Sequence, residues 1–253
     1  MACSEQDGQA IPEKPAGALT IALAGNPNCG KSALFNAFTG IRQKTGNWPG
    51  VTVERKEGRL ELDRREIRVI DLPGIYSLDA GSLDERVTRD YLLSRDADLI
   101  VHVVDASNLE RNLYLTVQLL EMGVPLILAL NMMDVARKRG IELDPALLAR
   151  EIGCPAVPVV AVTQEGLTEL KARMLSVADG KQGGGFSLAQ EECVEQAVAD
   201  IAPRFEADAA KANTRWLALK LLEGDPAADG IADAETKQLA AHWRTVIEDR
   251  SGE

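Results

Sequence analysis

Between Gly25 and Ser32 the chain reads G-N-P-N-C-G-K-S, two glycines framing four residues and then Lys31 and Ser32. These residue types at this spacing suit the grip of an anion. Glycines let successive backbone N–H groups turn into one concavity, and a helix starting behind them adds its partial positive charge. Lys31 is placed to reach the β- and γ-phosphates of a nucleotide, and the Ser32 hydroxyl to ligate Mg²⁺. The apolar run Leu19–Gly25 before the loop and the helical spacing from Lys31 to a stop at Gly40 supply the strand–loop–helix context that the motif requires. A dinucleotide loop is excluded, because G-x-G-x-x-G is absent. The expected cradle is Gly25, Asn26, Pro27, Asn28, Cys29, Gly30, Lys31, Ser32 and Ala33.

A phosphate loop does not name the base; further stretches do. Asp71–Gly74 reads D-L-P-G, where a carboxylate can hold Mg²⁺ through water and the Gly74 N–H can meet a γ-phosphate. Asn131–Asp134 reads N-M-M-D. The Asp134 carboxylate can accept from both the N1–H and the 2-amino group of guanine, a pair that adenine lacks. Asn131 is expected to tie this loop to the phosphate loop, and Met132 to cover the base with its apolar stem. Val160, Ala161 and Val162 end the last predicted strand and would offer backbone N–H groups to the guanine oxygen. Gly50, Val51 and Thr52 lie in the loop G-N-W-P-G-V-T-V-E, with Thr52 the second Mg²⁺ ligand once γ-phosphate is present. Alone, N-x-x-D is noise; at a strand end, and after D-x-x-G in this order, it points to guanine, with GTP as substrate and GDP as product.

The elements that must position these residues alternate. Strands are predicted at 53–62, 66–71, 98–105, 125–131 and 156–161, after the first at 19–25. Helices are predicted at 83–94, 108–122, 145–152 and 167–178, after the one that opens at Lys31. Ser82–Glu85 and Ser107–Glu110 have capping-box spacing, and Asp144 precedes Pro145 as an N-cap before a first-turn proline. Such alternation implies an α/β fold, a mostly parallel sheet with helices on both faces. The glycine run within Asp179–Phe186 reads as a linker. Beyond it Val194, Val198, Ile201 and Phe205 keep helical spacing, as do Leu239, Trp243 and Val246, so a small all-α segment is expected. The division is thus a polar arm at 1–17, a nucleotide domain at 18–180 and a helical domain at 181–253.

The 253 residues carry a formal net charge of -11, with no basic excess to meet nucleic-acid phosphates. Cys3, Cys29, Cys154 and Cys193 are scattered with no C-x-x-C pair, which argues for a reducing compartment over a zinc site or disulfide frame. No run of 18 apolar residues occurs. His102 and His242 lack metal partners at usable spacing and are expected to be structural. Cys29, beside a helix N-terminus, has either a lowered pKa or a small packing role. Trp48 is expected to be exposed unless it caps the nucleotide or meets a partner.

The order G-x₄-G-K-S, Thr, D-x-x-G, N-x-x-D resembles the translation-factor-related small GTPases. More narrowly, G-N-P-N-C-G-K-S-A-L-F-N-A-F-T-G, G-N-W-P-G-V-T-V-E-R-K-E-G, D-L-P-G-I-Y-S-L, V-V-D-A-S-N-L-E-R-N-L-Y-L and R-W-L-A-L-K-L-L-E-G-D together resemble the ferrous iron transport protein B (FeoB) family. That resemblance implies a Ras-like P-loop GTPase domain, then a helical domain likened to a nucleotide-dissociation inhibitor, then a polytopic membrane region not reached in this chain. It also implies a place at the cytoplasmic face of the bacterial inner membrane, the membrane region and small accessory proteins of iron uptake as partners, and no nucleic acid.

Three departures from a Ras-like pattern bear on chemistry. Ile75 stands where glutamine would orient the attacking water, so intrinsic hydrolysis is expected to be slow. Asn28 stands where cation-activated GTPases carry a potassium-coordinating asparagine, and the carbonyls of Gly46 and Trp48 would complete a K⁺ site; the alternative for Asn28 is a loop-tightening amide. Ala161 replaces a common serine, which should alter nucleotide release. The expected catalytic set is Asn28, Lys31, Thr52 and Gly74. Rival readings are a soluble K⁺-activated GTPase of RNA modification or ribosome assembly, and a non-hydrolysing guanine-nucleotide sensor.

Overall fold

The computed structural model describes residues 19–40, 43–79, 81–180, 189–205 and 213–251. The apolar run Leu19–Gly25 is strand β1, and its side chains divide between two cores. Ala22 and Ala24 face one cluster, Ile21 and Leu23 the other. Strand β1 must therefore lie in the middle of the sheet, and it does. It pairs in parallel with β4 (Arg65–Asp71) on one side and β5 (Leu99–Asp105) on the other. β6 (Leu126–Asn131) and β7 (Ala156–Pro158) continue the parallel run. Two antiparallel strands, β3 (Glu54–Leu62) and the edge strand β2 (Gln43–Asn47), complete the order β2-β3-β4-β1-β5-β6-β7. The strands thus deliver Gly25, Asp71, Asp105 and Asn131 to the same carboxyl-terminal edge, where ligands bind in open α/β sheets.

Helices α1 (Lys31–Thr39) and α6 (Leu167–Ala178) cover one face, burying Leu34, Phe35, Phe38, Leu170 and Met174 against β1 and β5. The other face takes α2 (Leu83–Ser94), α3 (Leu109–Glu121), α4 (Met133–Lys138) and α5 (Pro145–Ile152). The capping signals are realised at two of three sites. Ser82 and Glu85 form the full capping box, and Asp144 accepts from the N–H groups of Ala146 and Leu147. The third is corrected: Asp105 caps a 3-10 turn at 106–108 by accepting from Ser107 N at 2.8 Å, and α3 follows that turn with no side-chain cap. The Ser107 hydroxyl is turned to Arg139, accepting from its Nη1 at 3.3 Å. The last strand also stops early, at Pro158, because Val160 turns to pair with Glu165.

The described part of the tail is built of helices, α7 (Glu192–Ile201), α8 (Thr214–Leu222), α9 (Pro226–Ile231) and α10 (Ala234–Ser251). Helix α7 ends at Ile201, and a 3-10 turn at 202–204 carries the chain to Phe205, which is buried but not on that helix. Trp216, Leu217 and Leu221 of α8 are fully buried in the same cluster as α2 and α3, so the tail extends the core of that face. Asn213 does two jobs at the junction. Its Oδ1 caps α8 by accepting from Arg215 N, and its Nδ2 donates to Glu121 O at the end of α3, both at 3.0 Å. The polar arm expected at 1–17 and residues 181–186 of the expected linker lie outside the described residues. No helix among the described residues is long and apolar enough to cross a membrane.

One ion pair links the tail to α2 out of solvent. Arg89 Nη1 donates to both carboxylate oxygens of Asp225 at 3.1 Å, with the two side chains 7% and 8% exposed. Removing one member of such a pair strands the other charge. Arg89→Ala should therefore lower unfolding free energy by about 3 kcal/mol, read from the urea midpoint. A loss under ~0.5 kcal/mol, the level of an exposed pair, would show that water already reaches Asp225.

Candidate functional site

The phosphate loop is a turn that only its sequence tolerates. Gly30 has φ +88°, and a Cβ there would stand 2.1 Å from Asn131 Nδ2. At Gly25 a Cβ would meet Val103 O at 2.6 Å. Asn28 takes the left-handed conformation at φ +66°, a region that asparagine tolerates better than most residues. Its side chain is exposed and has no hydrogen-bond partner among the described residues, so it does not tighten the loop. Behind the turn, α1 starts with no side-chain cap and no acid in its first turn, which leaves its N–H groups for an anion. The Ser32 hydroxyl is exposed.

The D-x-x-G stretch docks on this loop. Ile75 N donates to Gly25 O at 3.2 Å, and the Gly74 Cα side packs on the backbone of Pro27. Lys31 Nζ donates to Asp71 Oδ1, so the two charges that phosphates and Mg²⁺ would draw apart are paired with each other. Ile75 is 2% exposed within the core and offers nothing to a water.

Asn131 joins three loops. Its Nδ2 donates to Cys29 O at 2.9 Å, and its Oδ1 accepts from Ala161 N at 3.0 Å. Met132, at φ +61°, turns the chain into α4 and lies over Gly30. Asp134 follows on α4 with its carboxylate 42% exposed and, among the described residues, only a long contact, 3.8 Å, to Lys138. The three amides expected to face a base reduce to one. Val160 N donates to Glu165 O and Ala161 N to Asn131, which leaves Val162, 85% exposed.

The Gly50–Thr52 loop departs most from expectation. Strand β2 pairs antiparallel with β3, Gly46 opposite Arg55, and the turn at its end is closed by Trp48 N donating to Val53 O at 2.9 Å. Thr52 is exposed at the tip. Trp48 is not exposed: at 7% exposure it packs edge-on to Tyr91, ring centroids 5.3 Å apart, with Arg55 4.9 Å above its own ring. The Trp48 carbonyl accepts from Val51 N. Gly46 thus belongs to an edge strand that β3 and β4 separate from β1, about 14 Å at ~4.8 Å per strand, and the Trp48 carbonyl is engaged within its own turn. Ladder pairing and burial of the indole hold the loop in this hairpin.

Two further residues resolve. Burial pushes the Cys29 thiol up to about 11, so it is a packed loop residue and no nucleophile. His102 is wholly buried, its pKa pushed down to about 3, with Nδ1 against Thr116 Oγ1 at 3.1 Å. The described residues contain no metal-holding cluster of His, Cys, Asp and Glu. A cavity of about 950 Å³ between α5, α6 and the starts of β6 and β7 lies at the opposite end of the strands from the loop.

This arrangement matches a known family across most of the chain. The family model "Ferrous iron transport protein B" matches residues 19–174, and the model "FeoB cytosolic helical domain" matches residues 191–253. The chain belongs to the FeoB family. It is 45% identical over 228 residues to the Fe(2+) transporter FeoB of Escherichia coli K12, covering 88% of this chain and 29% of that protein. Against FeoB of Salmonella typhimurium the identity is 47% over 212 residues, covering 82% and 27%. The chain thus spans under a third of the length of these FeoB relatives. Among solved structures it superposes on an S. thermophilus NFeoB mutant bound to mGDP with TM-score 0.86 and 38% identity, covering 94% of this chain and 92% of that one. The cytosolic domain of T. maritima FeoB in a GDP form gives 0.80 and 39%, covering 95% and 99%. The α/β fold is accordingly that of a FeoB P-loop GTPase domain followed by a helical domain.

Asn131 offers a direct check. Asn131→Ala removes two buried hydrogen bonds and leaves Cys29 O and Ala161 N unsatisfied, which should cost about 2–3 kcal/mol. The measurement is the thermal midpoint without nucleotide. An unchanged midpoint would mean that the loops hold together without this carboxamide.

Proposed function

We propose that the chain binds GTP, hydrolyses it slowly to GDP and phosphate, and thereby regulates Fe²⁺ uptake through a membrane region such as its relatives' greater length can contain. The observation that carries this reading is the Asn131 bridge, which sets Asp134 and the open phosphate loop at two ends of one site. The S. thermophilus and T. maritima neighbours were solved with mGDP and in a GDP form, which supports a guanine nucleotide here. FeoB membership favours this role over a GTPase of RNA modification or ribosome assembly. The fragment would lie at the cytoplasmic face of the bacterial inner membrane.

Each residue then has a role. Asp134 accepts from the two guanine donors, and Val162 N–H is the amide left for the guanine oxygen. Lys31 exchanges the Asp71 carboxylate for phosphate oxygens. The metal would be hard and oxygen-bound, which suits the available donors: the exposed Ser32 and Thr52 hydroxyls and the Asp71 carboxylate. Bound Mg²⁺ would neutralise charge on the β- and γ-phosphates. Thr52 can join only when the hairpin tip closes over the site, so its engagement distinguishes GTP from GDP. Gly74, already against Pro27, supplies an N–H to the γ-phosphate.

Asp134→Asn places an amide donor opposite a guanine donor, so GTP affinity should fall by roughly 2–4 kcal/mol. Xanthine nucleotide, with an acceptor in place of the amino group, should gain. Unchanged discrimination among GTP, XTP and ATP in titrations of the variant would remove the base-reading role.

With Ile75 buried, charge developing as γ-phosphate departs needs another partner. The unengaged Asn28 amide suits K⁺, which would supply that charge once the 46–48 carbonyls close on it. GTP hydrolysis should run about a hundredfold faster in K⁺ than in Na⁺ at equal ionic strength, the worth of one such contact. Asn28→Ala should erase the difference and leave GDP affinity nearly intact. Equal single-turnover rates for the wild type in both salts would refute the potassium role, and absence of turnover with saturating Mg²⁺ and K⁺ would favour a nucleotide sensor.

A further inference from the structure

Arg111, in the first turn of α3, touches both halves of the phosphate end of the site. Its carbonyl accepts from Asn26 Nδ2 of the phosphate loop at 3.4 Å. Its guanidinium lies 4.2 Å over the ring of Tyr76, which is two residues beyond Gly74. The ring is 40% exposed, and the guanidinium has no carboxylate partner among the described residues. The base of α3 is itself rigid: Asn112 Nδ2 donates to Asn108 O at 2.8 Å, and its Oδ1 accepts from Asp105 N at 3.4 Å. Ile75, before it, is held through its N–H by Gly25 O, and the Tyr76 side chain is held by Arg111, its ring hydroxyl having no hydrogen-bond partner among the described residues.

We propose that Arg111 is a positioning residue for the γ-phosphate: by clamping Tyr76 while holding Asn26, it sets the distance between the phosphate loop and the Gly74 N–H. The inference rests on the nucleotide reading above. GDP has no γ-phosphate, so loss of the clamp is felt in the GTP state and little in the GDP state. The ring face alone makes the contact, so the tyrosine hydroxyl is dispensable.

The test measures single-turnover GTP hydrolysis and GDP affinity, in Mg²⁺ and K⁺, for the wild type and five variants. Arg111→Ala and Tyr76→Ala should each slow hydrolysis about fivefold, the worth of a partly exposed cation–π contact. The double variant should be no slower than either single one, because both remove the same contact. Tyr76→Phe should match the wild type, and Arg111→Lys should fall between. GDP affinity should change less than about twofold throughout. Additive losses, a Tyr76→Phe variant as slow as Tyr76→Ala, or equal damage to GDP binding would overturn the clamp alone. A wild type that binds no guanine nucleotide would overturn the nucleotide reading and the clamp with it.

Discussion

The Asn131 carboxamide commits both of its ends to backbone, donating to Cys29 in the phosphate loop and accepting from Ala161 in the loop after β7. Because it is buried, neither bond has water as a competitor, and losing one exposes the other group to the full cost of an unmade bond. The constraint propagates outward. Gly30 must lack a side chain, since a Cβ would occupy the amide's place. Met132 must turn through a left-handed conformation so that α4, with Asp134 in its first turn, can start beside the same loop. On the proposed reading, the groups that meet the base and those that meet the phosphates are held together before any nucleotide arrives, which removes an ordering cost from binding.

The opposite wall is built on different physics. Lys31 and Asp71 neutralise each other, and Thr52 sits on a hairpin held by ladder pairing and by an indole packed on Tyr91. These interactions are made as they stand, so on the proposed reading closure on a γ-phosphate would have to exchange them for others. Among the described residues the buried Trp48 Nε1 and Tyr91 hydroxyl have no hydrogen-bond partner, a defect that lowers the cost of leaving the hairpin state. One wall is preorganised and the other is exchangeable, the combination that a two-state nucleotide switch would require.

How much of this is legible in the sequence follows from range. The phosphate loop, D-x-x-G and N-x-x-D are local strings with fixed structural contexts, and the central strands are long apolar runs that admit one reading. Strand β2 escapes a sequence reading because Gln43–Asn47 is polar and largely exposed along its length; only pairing with β3 makes it a strand. The short α4 escapes because six residues give too little periodicity to see. Trp48 reads as exposed because its burial depends on Tyr91, far along the chain on α2. Arg111 carries no signal, since one arginine on a helix is ordinary until the fold sets it over Tyr76.

The helical tail is acidic, yet it docks through its basic residues and through buried charge. Lys220 on α8 reaches Asp79 at 3.7 Å and Glu223 at 2.6 Å, while Gln118 on α3 donates to Asp79 at 3.2 Å and accepts from Leu78 N at 2.8 Å. The stretch that leaves Gly74 therefore ends in a polar knot shared between α3 and α8. Leu78 is fully buried there, which anchors the knot in the apolar core. Displacement of Gly74 has only the chain from Ile75 to Asp79 in which to dissipate. Two of these residues are already held, Ile75 by Gly25 and Leu78 by Gln118. Little slack remains between them, so on the proposed reading a shift at a γ-phosphate would be absorbed at Tyr76 and Ser77 or passed to Asp79 and the Lys220 it pairs with. The tail's contact with Asp79, more than its net charge, would then give it access to the state of the site.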